Sequence, residues 1–365
     1  MSSKTSNLKR KSTIQTCNPN FKINGKLFKS LVHFNSNFKK DHLDPELVRF
    51  LTNWFNPKDY INVSTSGTTG DPKKIKILKA AMINSAKKSA QIFGLKEKDR
   101  SLLCLPVKYI AGKMMVIRSL FIGLNMCTIE PNGSPLTRNS ESYDFAAMVP
   151  SQVKKTIEHL NKVKKLLIGG APVHKSLIEI INTKSTEVYE TFGMTETVSH
   201  IAIKNLSKGE KHFSAVPGAT FGLKSGCLII SAPDLNKNTI VTNDIVELID
   251  DKSFFWKGRK DSVINCGGIK YFPELLEKKV VNFKNIRFII CGIPDPILIE
   301  KIVIVFEKCV PPNVKRMFES LSRYERPKLV FTLEKFTIKN GKIDRKNIRE
   351  RVLKIKNETA RKRNI

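Results

Sequence analysis

Ser64-Thr65-Ser66-Gly67-Thr68-Thr69-Gly70-Asp71-Pro72-Lys73 is the stretch on which the reading of this 365-residue chain turns. Five hydroxyl side chains, two glycines and a lysine fall within ten residues. Tyr60-Ile61-Asn62-Val63 before it and Lys74-Ile75-Lys76-Ile77-Leu78 after it alternate like strands, so the loop is expected to join two of them. Glycines let backbone N–H groups turn toward an anion, hydroxyls donate to it, and a lysine supplies charge. That chemistry suits a phosphate cradle. The Walker pattern differs, since it ends in Gly-Lys-Ser/Thr and runs into a helix. A solvated Ser/Thr/Gly hairpin has the same composition. The loop alone leaves both readings open.

Length suggests two or three domains and a sizeable core. The net charge is +31 and the pI about 9.9. A nucleic-acid partner or an anionic substrate would explain such a balance. The lysines, however, are spread along the whole chain rather than clustered, which points to solvated faces. The compact basic runs Lys9-Arg10-Lys11 and Arg361-Lys362-Arg363 sit in expected frayed ends. No nucleic-acid partner is therefore expected. The seven cysteines are odd in number, with no Cys-x-x-Cys, so neither a disulfide framework nor a zinc site is indicated. A reducing cytoplasm fits. No apolar run approaches the ~20 residues a membrane span needs. Residues 1–20 read as a disordered lead-in, and either a monomer or a homodimer is compatible with the chain.

Taken in order, Leu47, Phe50, Leu51 and Trp54 fall at helical spacing after Asp44-Pro45. A helix is expected over Ala80–Leu95, with Ile83, Ala86, Ala90 and Phe93 on its buried face. Leu102–Leu105 reads as a strand. The mostly apolar stretch Tyr109–Arg118 carries two cations, Lys113 and Arg118. Buried, they would need water or an anion. Five residues apart they lie ~140° apart on a regular helix, so both cannot point into one pocket. Phe145–Val149 is a strand, Gln152–Leu160 a short helix, and Leu166-Leu167-Ile168-Gly169-Gly170-Ala171-Pro172 a strand entering a glycine turn, the α/β layout that places ligands at a strand's carboxyl end.

Glu187–Thr197 is a strand leading into Phe192-Gly193-Met194-Thr195-Glu196. A hydroxyl for phosphate beside a carboxylate for magnesium suits a metal–nucleotide site. Phe192 could stack on a base or pack in the core. Short strands are expected at Cys227–Ile230, Thr239–Val241 and Ile245–Ile249, with Asp244 in a turn between the last two. Charged and glycine-rich turns from Lys257 to Gly268 mark a domain boundary. Beyond it a small α+β unit is expected: a helix over Pro273–Val281, strands at Ile286–Cys291, Lys301–Phe306 and Lys328–Thr332, and helices over Asn313–Leu321 and Asp344–Ile355. Lys342 falls in an Asn-Gly turn that could present a mobile cation.

The order of these stations resembles the adenylate-forming superfamily of acyl-CoA synthetases, peptide-synthetase adenylation domains and luciferases. The Ser/Thr/Gly loop, Gly169-Gly170-Ala171-Pro172, Phe192-Gly193-Met194-Thr195-Glu196, Thr242-Asn243-Asp244, Gly258-Arg259-Lys260-Asp261, Gly267-Gly268 with Pro273, and Gly341-Lys342-Ile343 occur in the family's sequence. The likeness spans residues ~60–350. It implies an α/β fold, with a large N-terminal adenylate-forming domain of mixed sheets and helices (1–258) and a small α+β lid (259–365) hinged near Asp261. It also implies an AMP-forming acid–thiol ligase using ATP, Mg2+ and CoA. Thr65, Ser66, Gly67, Thr68, Thr69, Gly70 and Lys73 would then hold the β- and γ-phosphates. Gly170, Ala171, Pro172 and Phe192 would meet the adenine, Thr195 the α-phosphate, Glu196 the magnesium, and Asp244 the ribose, with Arg259 nearby. Lys342 would be the catalytic lysine, and Gly267 and Gly268 would face the pantetheine thiol.

Pro106, Tyr109–Lys113 and Thr195–His200 resemble the compact o-succinylbenzoate–CoA ligases of bacterial menaquinone biosynthesis. Their acid carries two carboxylates, for one of which Lys113, Arg118, Ser199 and His200 are the candidates. Another acyl- or aryl-acid CoA ligase is the alternative. A non-catalytic nucleotide-binding module is a third reading, against which Lys342, Glu196 and Asp244 argue.

Overall fold

The structure, a computed structural model, describes residues 17–28, 43–64, 74–137, 140–280, 286–339 and 342–363. The expected phosphate loop from Thr65 to Lys73 lies outside the described residues, as do Asn340 and Gly341. The backbone of Lys342 is described and its side chain is not.

β1 (Lys22–Ile23) and β2 (Lys26–Leu27) form a hairpin closed by Asn24 and Gly25, both at positive φ. Phe21 and Phe28 are fully buried, and the Asn18 N–H donates to Leu120 O at 3.1 Å. Residues 17–20, expected in the lead-in, thus belong to the fold. Their anchoring is by side chains and long-range backbone bonds that no local periodicity reports.

In α1 (Pro45–Trp54), Asp44 accepts from the Glu46 N–H and Leu47, Phe50, Leu51 and Trp54 are buried, as their spacing predicts. β3 (Tyr60–Ser64) and β4 (Lys74–Leu78) pair antiparallel from Tyr60↔Leu78 to Ser64↔Lys74, so the phosphate-loop stretch joins two strands of a hairpin. α2 (Lys79–Phe93) buries Ala81, Met82, Ser85, Ala86, Ser89 and Phe93. Of the expected stripe, Ala86 and Phe93 are buried and Ile83 and Ala90 pack half-buried against the same core, and the face widens to take in Met82, Ser85 and Ser89. Ser85 and Ser89 face inward because Ser89 Oγ donates to Ser85 O at 3.0 Å, which removes the cost of burying its hydroxyl.

β5 (Arg100–Leu103), α3 (Ile110–Ile122), β6 (Asn125–Thr128), β7 (Tyr143–Met148), α4 (Pro150–Lys155), β8 (Val163–Ile168), α5 (Lys175–Ile181) and β9 (Glu187–Gly193) follow. Strands β6-β5-β7-β8-β9 lie side by side and parallel. α3 is buried on nearly every side. A Cβ on Gly112 would fall 2.4 Å from Pro106 O, so only glycine lets α3 lie so close to the chain that enters it.

β10 (His200–Asn205), β11 (Phe213–Ala215), β12 (Thr220–Lys224), β13 (Cys227–Ala232), β14 (Asn236–Leu248) and β15 (Ser253–Arg259) extend the same sheet in antiparallel fashion. β14 is one strand where two were expected. Cys227 faces Ile245 while Ile229 faces Val241, so β14 carries extra residues around Thr242–Asp244. Asp244 thus occupies a bulge within a strand, its N–H donated to Thr242 Oγ1 at 3.0 Å.

The large sheet ends at Arg259, and a second sheet begins with β16 (Ile264–Cys266) and β17 (Ile269–Tyr271). α6 (Pro273–Lys279), β18 (Phe288–Asp295), β19 (Ile299–Glu307), β20 (Leu329–Leu333), the β21 (Ile338–Lys339)–β22 (Lys342–Ile343) hairpin and α7 (Arg345–Arg363) complete the chain. The helix expected over 313–321 is a short 3-10 turn, Val314–Phe318. Met317, Phe318 and Leu321 are buried there and Val314 is half-buried against them, a small apolar face for a longer helix. No helix among the described residues is long and apolar enough to cross a membrane.

Candidate functional site

The carboxyl ends of β8 and β9 form the floor of the site. Gly170 sits at φ +85°, and Ala171 after it is exposed. A Cβ on Gly169 would fall 2.6 Å from Thr191 Oγ1, which itself donates to Ile168 O at 3.1 Å. The glycine turn and the end of β9 are thereby held in contact. Phe192 is half-buried among rings, 5.3 Å from Phe254 and 5.9 Å from Phe213 between centroids. Its core packing is thus visible, and part of its surface stays open.

From Gly193 the chain doubles back into β10. A Cβ at Gly193 would lie 2.2 Å from Ser199 O, so glycine is required for that approach. Thr195–Thr197 form one 3-10 turn in which Thr195 is buried and Glu196 exposed. Thr197 Oγ1 accepts from the Met194 N–H at 3.0 Å and lies 2.7 Å from Ser199 O.

Beneath this turn lies Arg118, 2% exposed. Its Nε donates to Ser89 Oγ at 2.9 Å and its Nη2 to Ser199 Oγ at 2.6 Å. His200 Nδ1 lies 3.4 Å from the same Nη2. Burial alone pushes the guanidinium down to about 10. Burial and then the Arg118 charge hold His200 well below its ordinary value, so the imidazole is neutral. Lys113 does not join them. Its Nζ donates to Val107 O at 2.6 Å and Lys108 O at 2.8 Å, and burial lowers it to about 8.

Asp244 is buried, its Oδ1 accepting from Trp256 Nε1 at 2.9 Å and its Oδ2 lying 3.6 Å from Arg259 Nη1. Arg259 Nη2 also reaches Asp261 Oδ2 at 3.3 Å. β14 touches the Thr195–Glu196 turn through Asn236 Nδ2, which donates to Glu196 O at 3.2 Å. Asp244, Arg259 and the Thr–Glu turn are therefore carried by one strand pair and its neighbour.

The smaller sheet stands against this edge. Glu274 Oε2 would lie 2.9 Å from a Cβ on Gly258, and Lys278 Nζ lies 5.3 Å from the Trp256 ring centre. Gly267 and Gly268 turn β16 into β17 at φ +61° and +80°. Lys342 pairs with Lys339 in the terminal hairpin. Three residues on, Arg345 makes a bidentate pair with Glu277.

The structure thus brings Arg118, Ser199 and His200 together and links Glu196 to the strand that bears Asp244. It leaves Lys113 apart. Ser89 and Trp256 escaped the sequence reading. Trp256 lies on the strand paired with that of Asp244, opposite Val246, and only this pairing brings its indole N–H to the carboxylate. Among the described residues no group of three or more His, Cys, Asp or Glu could hold a metal by itself. A single carboxylate such as Glu196 fits magnesium that arrives on a phosphate, since that ion keeps most ligands from water and substrate.

Residues 26–222 match the AMP-binding enzyme family. The chain is 26% identical over 349 residues to a 2-succinylbenzoate–CoA ligase of Listeria monocytogenes, covering 85% of this chain and 73% of that one. An acyl-CoA synthetase (AMP-forming)/AMP-acid ligase II-like protein from Dyadobacter fermentans is 32% identical, with a TM-score of 0.57 over 85% of this chain and 95% of that chain. The o-succinylbenzoate CoA synthetase of Bacillus subtilis, solved with its acyl-adenylate intermediate, shares the fold at 20% identity and a TM-score of 0.70, over 79% and 68% of the two chains. The chain described here belongs to the AMP-binding enzyme family, as an AMP-forming acyl-CoA ligase.

Proposed function

We propose that the acid this ligase activates is o-succinylbenzoate, through an acyl-adenylate and then a CoA thioester. The observation that carries the reading is the buried Arg118–Ser199–His200 group, placed directly behind the Thr195–Glu196 turn. A dicarboxylic acid needs polar donors for the carboxylate that does not react. Ser199 and His200, backed by the Arg118 charge, supply them, with Lys113 as the remaining candidate. The names of the relatives support the same acid.

In the first half-reaction a carboxylate oxygen attacks the α-phosphorus and pyrophosphate leaves. Two anions are joined, so donors and cations must offset growing charge. Thr195 would donate to the α-phosphate, Asp244 would accept the ribose hydroxyls, and Gly170, Ala171, Pro172 and Phe192 would line the base. The loop from Thr65 to Lys73 would hold the outer phosphates. Glu196 would hold magnesium, which supplies positive charge to the phosphate oxygens. Lys342 would bring its ammonium group to the same oxygens. In the second half-reaction the CoA thiol attacks the acyl carbon and AMP leaves. We assign residues 1–258 and 259–365 to two domains that turn about Asp261, so that Gly267 and Gly268 can replace Lys342 at the site. The odd number of cysteines, with no Cys-x-x-Cys, supports a reducing compartment, the cytoplasm.

A pyrophosphate-release assay with ATP, magnesium and a panel of acids tests this. Release and thioester formation are expected with o-succinylbenzoate. Turnover of benzoate or fatty acids without turnover of o-succinylbenzoate would replace it by another acid. Lys342→Ala should abolish adenylate formation while ATP still binds, and wild-type turnover in that variant would remove the lysine from its role.

A further inference from the structure

Gly267 and Gly268 form a two-residue hairpin turn, with Cys266 paired to Ile269 and both glycines at positive φ. A Cβ on Gly268 would meet nothing within 4 Å, so packing does not demand glycine there and its outer face is open. A second hairpin is tied to this one at three points. The Gly267 N–H donates to Leu298 O at 2.8 Å, Cys266 pairs with Ile299, and the Asn265 N–H donates to Glu300 Oε2 at 2.8 Å. Glu300 is held in turn by Arg349 of α7, whose Nη2 donates to its Oε1 at 3.0 Å.

The tip of that second hairpin, between β18 and β19, is strained. Ile299 lies at φ +68°, in the left-handed region where such tips ordinarily carry glycine. Core packing gains nothing from it, since Ile297 is 88% exposed and Ile299 60%. Asp295 holds the tip in shape. Its Oδ1 accepts from the Ile297 N–H at 3.1 Å and the Leu298 N–H at 2.9 Å, and its Oδ2 lies 2.7 Å from Lys301 Nζ. Lys301 first, and then those N–H groups, hold the carboxyl down to about 2, so it stays charged. Strain of this kind persists where its surroundings over-determine it. What the tip fixes here is Leu298 O and Ile299, the two groups that meet the Cys266–Gly267 end of the glycine turn.

We propose that Asp295 is a positioning residue for the second half-reaction: through the β18–β19 tip it holds the Gly267–Gly268 turn in the shape that receives CoA. This rests on the assignment of Gly267 and Gly268 to the pantetheine thiol, and goes beyond it in naming what fixes them. In that step the CoA sulfur bonds to the acyl carbon. The bond from that carbon to the phosphate oxygen breaks with its electron pair going to AMP, and the thiol proton leaves to solvent. Asp295 touches none of these atoms. Adenylate formation precedes any use of the turn and does not need it.

Measuring the half-reactions apart tests the proposal. ATP–pyrophosphate exchange reports the first, and single-turnover transfer from preformed acyl-adenylate to CoA the second, both with o-succinylbenzoate or the acid that turns over in its place. Asp295→Ala should slow transfer at low CoA about tenfold and leave exchange within about twofold of wild type. Asp295→Asn, which keeps the Oδ1 acceptor, should slow transfer about threefold. Adding Ile299→Gly to Asp295→Ala should bring transfer back to within about threefold of wild type, because glycine takes that φ without the carboxylate's help. Equal losses in both half-reactions would make Asp295 a merely structural residue and overturn the proposal. So would unchanged transfer in Asp295→Ala. If Asp295→Ala does not fold, Lys301→Met, which removes the carboxylate's cation, takes its place: a loss of about threefold confined to transfer is expected, and no loss refutes it. Gly268→Val separates the proposal from its premise. Slow transfer in Gly268→Val beside wild-type transfer in Asp295→Ala removes Asp295 alone, whereas wild-type transfer in both removes the assignment of the turn to CoA.

Discussion

Protonating His200 should cost stability in a defined pH window. The ring is 7% exposed, with Nδ1 3.4 Å from both Arg118 Nη2 and Ser199 Oγ, Nε2 3.5 Å from Ser89 Oγ, and its edge against Phe93. Burial, and then the neighbouring Arg118 guanidinium, disfavour a proton there and hold the pKa well below 6.5. In the unfolded chain the imidazole titrates normally. Below about pH 6.5 the unfolded state therefore binds a proton that the folded state refuses, and stability falls as pH falls. The slope for one such group is about 1.4 kcal/mol per pH unit, or about 2 kcal/mol between pH 6.5 and 5. His174, also held low by burial and by Lys154, Lys278 and Arg345, adds its own contribution. Urea unfolding at intervals from about pH 7 to 5, on wild type and His200→Gln, cancels His174 and the carboxylates in the difference. The variant should lose about 2 kcal/mol less than wild type across that window. Parallel curves would show that His200 accepts its proton in the folded protein, and the protected Arg118 pocket would be refuted.

Two further substitutions probe the neighbourhood. Trp256→Phe deletes the donor to Asp244 Oδ1 and leaves a buried carboxylate short of a partner, so the KM for ATP should rise about five- to tenfold, or about 1 kcal/mol, with little change in kcat. An unchanged KM would place the ribose elsewhere. Arg345→Met would strand the buried Glu277 and Glu274 carboxylates, at a stability loss of about 3–5 kcal/mol measurable by thermal or urea unfolding. Loss of less than about 1 kcal/mol would mean that water already reaches those acids.

Much of the architecture was legible from local pattern. The strands flanking the Ser/Thr/Gly loop, α1 with its Asp44 cap, and β8 and β9 before their glycines all appear where period and turn chemistry place them. These signals are short-range: an alternation or a cap is complete within a few residues. The inward face of α2 was read too narrowly, because Ser85 and Ser89 look solvent-facing until their bonds are known. β14 was split because a bulge is a property of two strands in register, and one strand alone does not display it.

The nature of the chemistry could be argued from the chain itself, because glycine, hydroxyl, carboxylate and lysine in that order suit one kind of substrate. Where each group points is another matter. Only the meeting of α2, α3 and β10 encloses Arg118 with Ser89, Ser199 and His200 while leaving Lys113 on the carbonyls of Val107 and Lys108. Two cations five residues apart on one helix carry similar local signals. Desolvation and the available acceptors separate them, and those are set by elements far apart in the chain.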